Sequence, residues 1–173
     1  MNCLMKTELG KQYGGWVNSP DAVSRAHFKP LQLKCASDCG MSIPTTLCSS
    51  DANDIQAFLK TYSQYGVVYQ PLHGDAGDSI VLTPGASWPS GLGIFQKKII
   101  AQYAIRVTCF GASLVAEKMA SNMPIMFEPY LLPRQLGASI RACMAQLGLL
   151  SAVFAFTKTP DDTCVFMNLT AFS

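Results

Sequence analysis

Cys35, Cys39 and Cys48, with His27 upstream, are the residues of this 173-residue chain whose types and spacing could do chemistry. Three thiolates and an imidazole are a donor set that tetrahedral zinc accepts. Structural zinc sites usually present close cysteine pairs two to four residues apart, and only Cys35 and Cys39 meet that spacing. The main expectation is therefore buried apolar thiols and no cofactor, with a metal at His27, Cys35, Cys39 and Cys48 as the alternative. Cys39 or Cys48 could also act as a nucleophile with His73 as base, because a thiolate beside an imidazolium is reactive at neutral pH. Only the residue types suggest that pairing; no motif places the groups together.

Other short patterns carry less. Gly77-Asp78-Ser79-Ile80 resembles the Gly-Asp-Ser block of one serine hydrolase group over four residues, but here the block precedes a strand instead of following one. Gly91-Leu92-Gly93 offers free amides to an anion, without the third glycine, the lysine or the preceding strand that nucleotide loops have. Asn168-Leu169-Thr170 matches a glycosylation acceptor but falls inside a predicted strand.

The elements that must position these residues follow from periodicity. Ile55, Phe58, Leu59 and Tyr62 share one helical face, which predicts a helix over 50–65 with Ser50 as its cap. Leu136, Ile140, Cys143, Met144, Leu147 and Leu150 predict a second helix over 134–150. Ser19-Pro20-Asp21 opens a short helix that ends near Pro30. Leu31 to Cys35 alternates apolar and polar residues as a strand does, and Val67 to Tyr69 and Ile80 to Leu82 read as a hairpin. Phe95, Ile99 and Tyr103 predict a helix, Ile105 to Cys109 a strand, and residues 113–122 a further helix. A terminal hairpin joins Val153-Phe154-Ala155-Phe156 to Val165-Phe166-Met167 around Pro160-Asp161-Asp162.

The class read from these elements is α+β, an antiparallel or mixed sheet with packed helices. Over 31–110 the order suggests a ferredoxin-like βαββαβ arrangement, followed by a helix and the terminal hairpin. One domain over 1–173 is expected, with a subdivision into 1–110 and a helix-hairpin extension over 111–173.

Composition points away from several functions. The chain is 49% hydrophobic and only 14% charged, with a formal net charge of +2 and no basic run longer than Lys97-Lys98. A nucleic-acid partner needs a clustered basic face, and an RNA-binding sheet needs more strand aromatics than Tyr69 alone. No window is long enough to span a membrane, and no signal peptide is evident, so the expected place is the cytoplasm or a viral or other macromolecular assembly. So few charges leave apolar surface to be covered, which suggests a protein partner or self-association. The reading is a non-enzymatic interaction or structural subunit, such as a viral or phage accessory protein. Its interface would be Val153, Phe154, Phe156, Val165, Phe166 and Met167. The alternative is a small cysteine-dependent or zinc-dependent enzyme built on Cys39 or Cys48 with His73.

Overall fold

The computed structural model describes residues 17–72, 79–83, 85–119 and 126–172. Among them are four helices, α1 (Pro20–Ala26), α2 (Lys29–Asp38), α3 (Ala52–Thr61) and α4 (Arg134–Leu147). The strands are β1 (Thr46–Ser49), β2 (Val67–Pro71), β3 (Ile80–Leu82), β4 (Gly93–Lys97), β5 (Tyr103–Phe110), β6 (Ser113–Met119), β7 (Phe127–Pro129), β8 (Ser151–Lys158) and β9 (Cys164–Ala171). They form two antiparallel sheets, ordered β1-β4-β2-β3 and β7-β6-β5-β8-β9. The α+β class stands, and no helix among the described residues is long and apolar enough to cross a membrane.

Local chemistry sets the helix ends. The Ser19 hydroxyl accepts from the Ala22 amide, with Pro20 in the first turn. For α3 the cap is Asp51 and not Ser50: its carboxylate accepts from Asn53 and Asp54. Gly148 ends α4 at φ 73°, a left-handed conformation that glycine adopts without a Cβ clash.

The ferredoxin-like order does not form. Leu31 to Cys35 belongs to α2, because Gln32, Leu33, Cys35 and Ala36 are all buried, a helical face in which the polar Gln32 points inward. Residues 93–97 are a strand buried on both faces, which erased the alternation and left a misleading four-residue spacing. Residues 113–119 are β6, joined to β5 by a two-residue turn at Gly111-Ala112 in which Phe110 faces Ser113 and Gly111 takes φ 55°.

Each sheet has its own core. Helix α3 lays Ile55 and Leu59 against Val67, Tyr69, Leu82 and Phe95 of the four-stranded sheet. Helices α1, α2 and α4 cover one face of the five-stranded sheet, burying Ile105, Val107, Cys109, Phe154, Phe156 and Phe166 among others. Phe154, Phe156 and Phe166 touch one another with ring centroids about 6 Å apart. The apolar face expected to need a partner is thus largely covered by this chain's own helices. Phe154, Phe156, Val165 and Phe166 are core residues, and Val153 and Met167 are half-buried.

β9 is an edge strand, and the segment 27–42 blunts it. The Phe166 amide donates to the Ser42 carbonyl at 2.8 Å, and the Lys29 ammonium donates to the Met167 carbonyl. His27 contacts the Ala171 carbonyl at 3.2 Å through Nε2. Asn18, 1% exposed, ties the start of α1 to both strands of the terminal hairpin. It donates to the Ser151 and Phe172 carbonyls and accepts from the Leu150 and Ser151 amides.

Candidate functional site

The other face of the five-stranded sheet is not covered by a described helix. Along β5 the buried Ile105, Val107 and Cys109 alternate with exposed Arg106, Thr108 and Phe110. The register runs Glu117 on β6, Arg106 on β5, Ala155 on β8 and Asn168 on β9 into one row across this face. Val115, Thr108, Val153 and Thr170 make the next row.

Arg106 is the cation at the centre of the first row. Its guanidinium pairs with Glu117 at 2.8 Å and lies 4.4 Å from the centroid of the Phe127 ring on β7. An exposed pair of this kind adds little stability, but carboxylate and ring together fix a planar donor fork in one orientation. A fixed fork can receive a phosphate or carboxylate oxygen with little further loss of side-chain freedom.

On the helix-covered side, an open groove of about 460 Å³ runs between β6, residues 130–133 and the first turns of α4. Leu114, Ala116, Tyr130 and Leu132 form its apolar wall, and Arg134 and Arg141 its charged rim. Arg141 donates to the Ala112 carbonyl at 3.2 Å. Burial, with Cys164 close by, pushes the Tyr130 hydroxyl up to about 12.

The residues singled out by type are scattered. His27 serves the edge of β9. Cys48 is exposed on β1 in the other sheet, and His73 lies outside the described residues. Cys35 and Cys39 do come together on α2, with Cys143 of α4 as a third sulfur that spacing along the chain could not reveal. Desolvation pushes the Cys39 and Cys48 thiols up, against the direction a nucleophilic thiolate needs. Arg106, Arg134 and Arg141 were not singled out by sequence; for Arg106 the available signal was a charged residue at an outward position of a predicted strand.

No family model matches the sequence, and no curated protein matches it. Solved structures do resemble it. The macrocyclase MdnC from Microcystis aeruginosa MRC, bound with the precursor peptide MdnA, superposes at a TM-score of 0.77 and 21% identity, covering 98% of this chain and 64% of that one. The ATP-grasp ligase PsnB, complexed with a phosphomimetic variant of its minimal precursor, Mg and ADP, gives 0.78 and 17%, covering 98% and 58%. The ADP complex of N5-carboxyaminoimidazole ribonucleotide synthetase, purK, gives 0.69 and 11%, covering 94% and 49%. The chain therefore spans about three-fifths of the length of the two peptide-bound enzymes.

The shared fold is that of part of an ATP-grasp ligase. It overturns the expectation of a non-enzymatic structural or viral accessory subunit, because nearly the whole chain follows a scaffold found in an ATP-grasp ligase and in a macrocyclase.

Proposed function

We propose that the chain is an ATP-grasp-type ligase, or part of one, acting on a peptide. The observation that carries this reading is the fold likeness over 98% of the chain to two enzymes held with precursor peptides. A ligase holding ADP suits transfer of the γ-phosphoryl group. A carboxylate resists nucleophilic attack because it is already an anion. Phosphorylated by ATP, it becomes an acyl phosphate and ADP departs; a hydroxyl or amine then attacks the acyl carbon, loses its proton and displaces phosphate, leaving an ester or amide. Such chemistry depends on holding the reactants in line and offsetting charge on the phosphoryl oxygens.

Arg106 suits the offsetting of charge, being an oriented cation in the middle of an open sheet face. The groove with Arg134 and Arg141 lies on the opposite side of the sheet from Arg106, so it suits a non-reacting apolar segment of the peptide that carries acidic side chains, and not the carboxylate to be phosphorylated. Magnesium is less well served. It takes oxygen donors, usually one or two carboxylates besides the phosphates. Among the described residues, the row beside Arg106 offers Ala155 and Asn168, and its one carboxylate, Glu117, is already paired. The group of three metal-ligating side chains that does exist consists of thiols, which magnesium disfavours. These residues do not fit the ion, and among the described residues of this row what is offered to a phosphate is the Arg106 N–H donors that Glu117 leaves free.

Calorimetric titration with a non-hydrolysable ATP analogue tests the reading. Saturable binding is expected, weakened by Arg106→Met while the far-ultraviolet dichroism stays unchanged. A Kd above about 1 mM for the analogue, with and without magnesium, overturns it.

A further inference from the structure

Behind the five-stranded sheet, on the face away from Arg106, three sulfurs converge between α2 and α4. Cys35 and Cys143 are fully buried with Sγ atoms 3.0 Å apart, and Cys39 at the C-terminal end of α2 brings its Sγ into the same group. All three lie within 4.8 Å of one another. Cys35 and Cys39 stand one helical turn apart and so present their side chains to the same neighbour. Cys39 is the half-open member; its thiol donates to Gln146 Oε1 at 3.4 Å.

Metal–sulfur bonds of about 2.3 Å place ligand sulfurs about 4 Å apart. The observed spacing, from 3.0 Å up to 4.8 Å, brackets that value, so small side-chain rotations reach it. The donors are soft, which selects against magnesium and calcium and for zinc-type or monovalent copper-type ions. Charge decides between these. Three thiolates around a monovalent ion leave two net negative charges in an apolar setting, and around a divalent ion one. Nearby, Asp38 adds negative charge and the Lys34 ammonium is already paired with it at 2.7 Å.

We propose that Cys35, Cys39 and Cys143 form a site for a soft divalent cation of zinc type, with a solvent molecule as fourth ligand on the open Cys39 side. Each sulfur–metal bond forms as one thiol proton leaves, so loading releases three protons and changes no oxidation state. Loading ties α2 to α4. The site lies on the helix-covered side of the sheet and does not depend on the ligase reading.

The test uses the full chain, reduced and stripped with a chelator, then titrated with cadmium while thiolate-to-metal absorption is followed and zinc is used to displace it. One cadmium per chain is expected, with affinity reduced by more than about 100-fold in Cys143→Ala and in Cys39→Ala, beyond what loss of a contact to a ligand usually gives. Cys48→Ser should bind as the parent does. Circular dichroism identifies any variant that fails to fold, and protection of the half-open Cys39 from alkylation in the loaded parent, compared with the stripped folded parent, gives a readout without a variant. The proposal is overturned if the folded, reduced chain takes up no cadmium, if folded Cys143→Ala binds as tightly as the parent, or if Cys35 and Cys143 can be recovered only as a disulfide.

Discussion

Gln32 meets Leu169 with both ends of its carboxamide: Nε2 donates to the Leu169 carbonyl at 2.8 Å and Oε1 accepts from the Leu169 amide at 3.1 Å. One side chain on α2 thus does for the outer edge of β9 what a tenth strand would do at that residue. The same Nε2 also reaches the Ala26 carbonyl at 2.5 Å, so this buried amide joins α1, α2 and the sheet. Gln32→Leu, close in size, leaves a buried amide and two buried carbonyls without this partner. A loss of about 1–3 kcal/mol is expected in urea unfolding, and a change under about 0.5 kcal/mol would show that water replaces the carboxamide.

Lys29, which reaches Met167 on the same edge of β9, is held down to about 8 by desolvation, against 10.5 when free. Between those values the unfolded chain keeps a proton that the folded chain has released, so its share of stability rises with pH across that window. Below about pH 8 both states hold the proton and the full desolvation cost remains. Lys29→Met removes the cost. The stability gap between this variant and the parent, measured by denaturant unfolding, should move in the parent's favour from about pH 8 to about pH 10.5. A gap that stays flat over that range counts against burial of the ammonium.

Gly93 on β4 lies under the Tyr69 ring, and a Cβ added there would stand 2.4 Å from Tyr69 Cε2. Tyr69 is itself packed on Phe95 at 5.3 Å, so the ring has little room to yield. Gly93→Ala should cost about 1–3 kcal/mol by overpacking. Tyr69→Leu in the same chain should recover part of that loss in a double-mutant cycle.

Phe166 packs against Phe154 and Phe156 and is fully buried. Phe166→Ala should cost about 3–5 kcal/mol, the range for emptying an aromatic core site, with no dependence on protein concentration. Leu147, 2% exposed beneath the same sheet, should cost about 2–5 kcal/mol on truncation to alanine. A concentration-dependent midpoint for either variant would point instead to a surface shared with a second copy.

The legible part of the fold is the part with one buried face. Helices α3 and α4 show their apolar stripes plainly because the opposite sides are wet, and β8 alternates along its whole length. The misread elements break that condition. Strand β4 is buried on both faces, α2 turns a glutamine inward, and β6 shows no clean alternation of burial beside its ion pairs Arg106–Glu117 and Lys118–Glu128. The two-residue turn at Gly111-Ala112 was a hairpin signal that the helical reading of 113–122 passed over. At the sites, Cys35 and Cys39 were visible as a pair, but Cys143 lies 108 residues beyond Cys35. The row of Glu117, Arg106, Ala155 and Asn168 exists only through strand register, which no local pattern encodes.

Asn18 sets an order of events during synthesis. Its four partners sit at Leu150, Ser151 and Phe172, up to 154 positions further along the chain. On a ribosome adding roughly 5–20 residues per second, the segment carrying Asn18 is exposed for several seconds before those partners emerge. During that interval α1 and α2 lack β8 and β9, the strands that complete the core they cover, and part of their apolar sides stays open. The segment that leaves the exit tunnel early is therefore among the last to dock, and β9 arrives with its edge guards already waiting in solution.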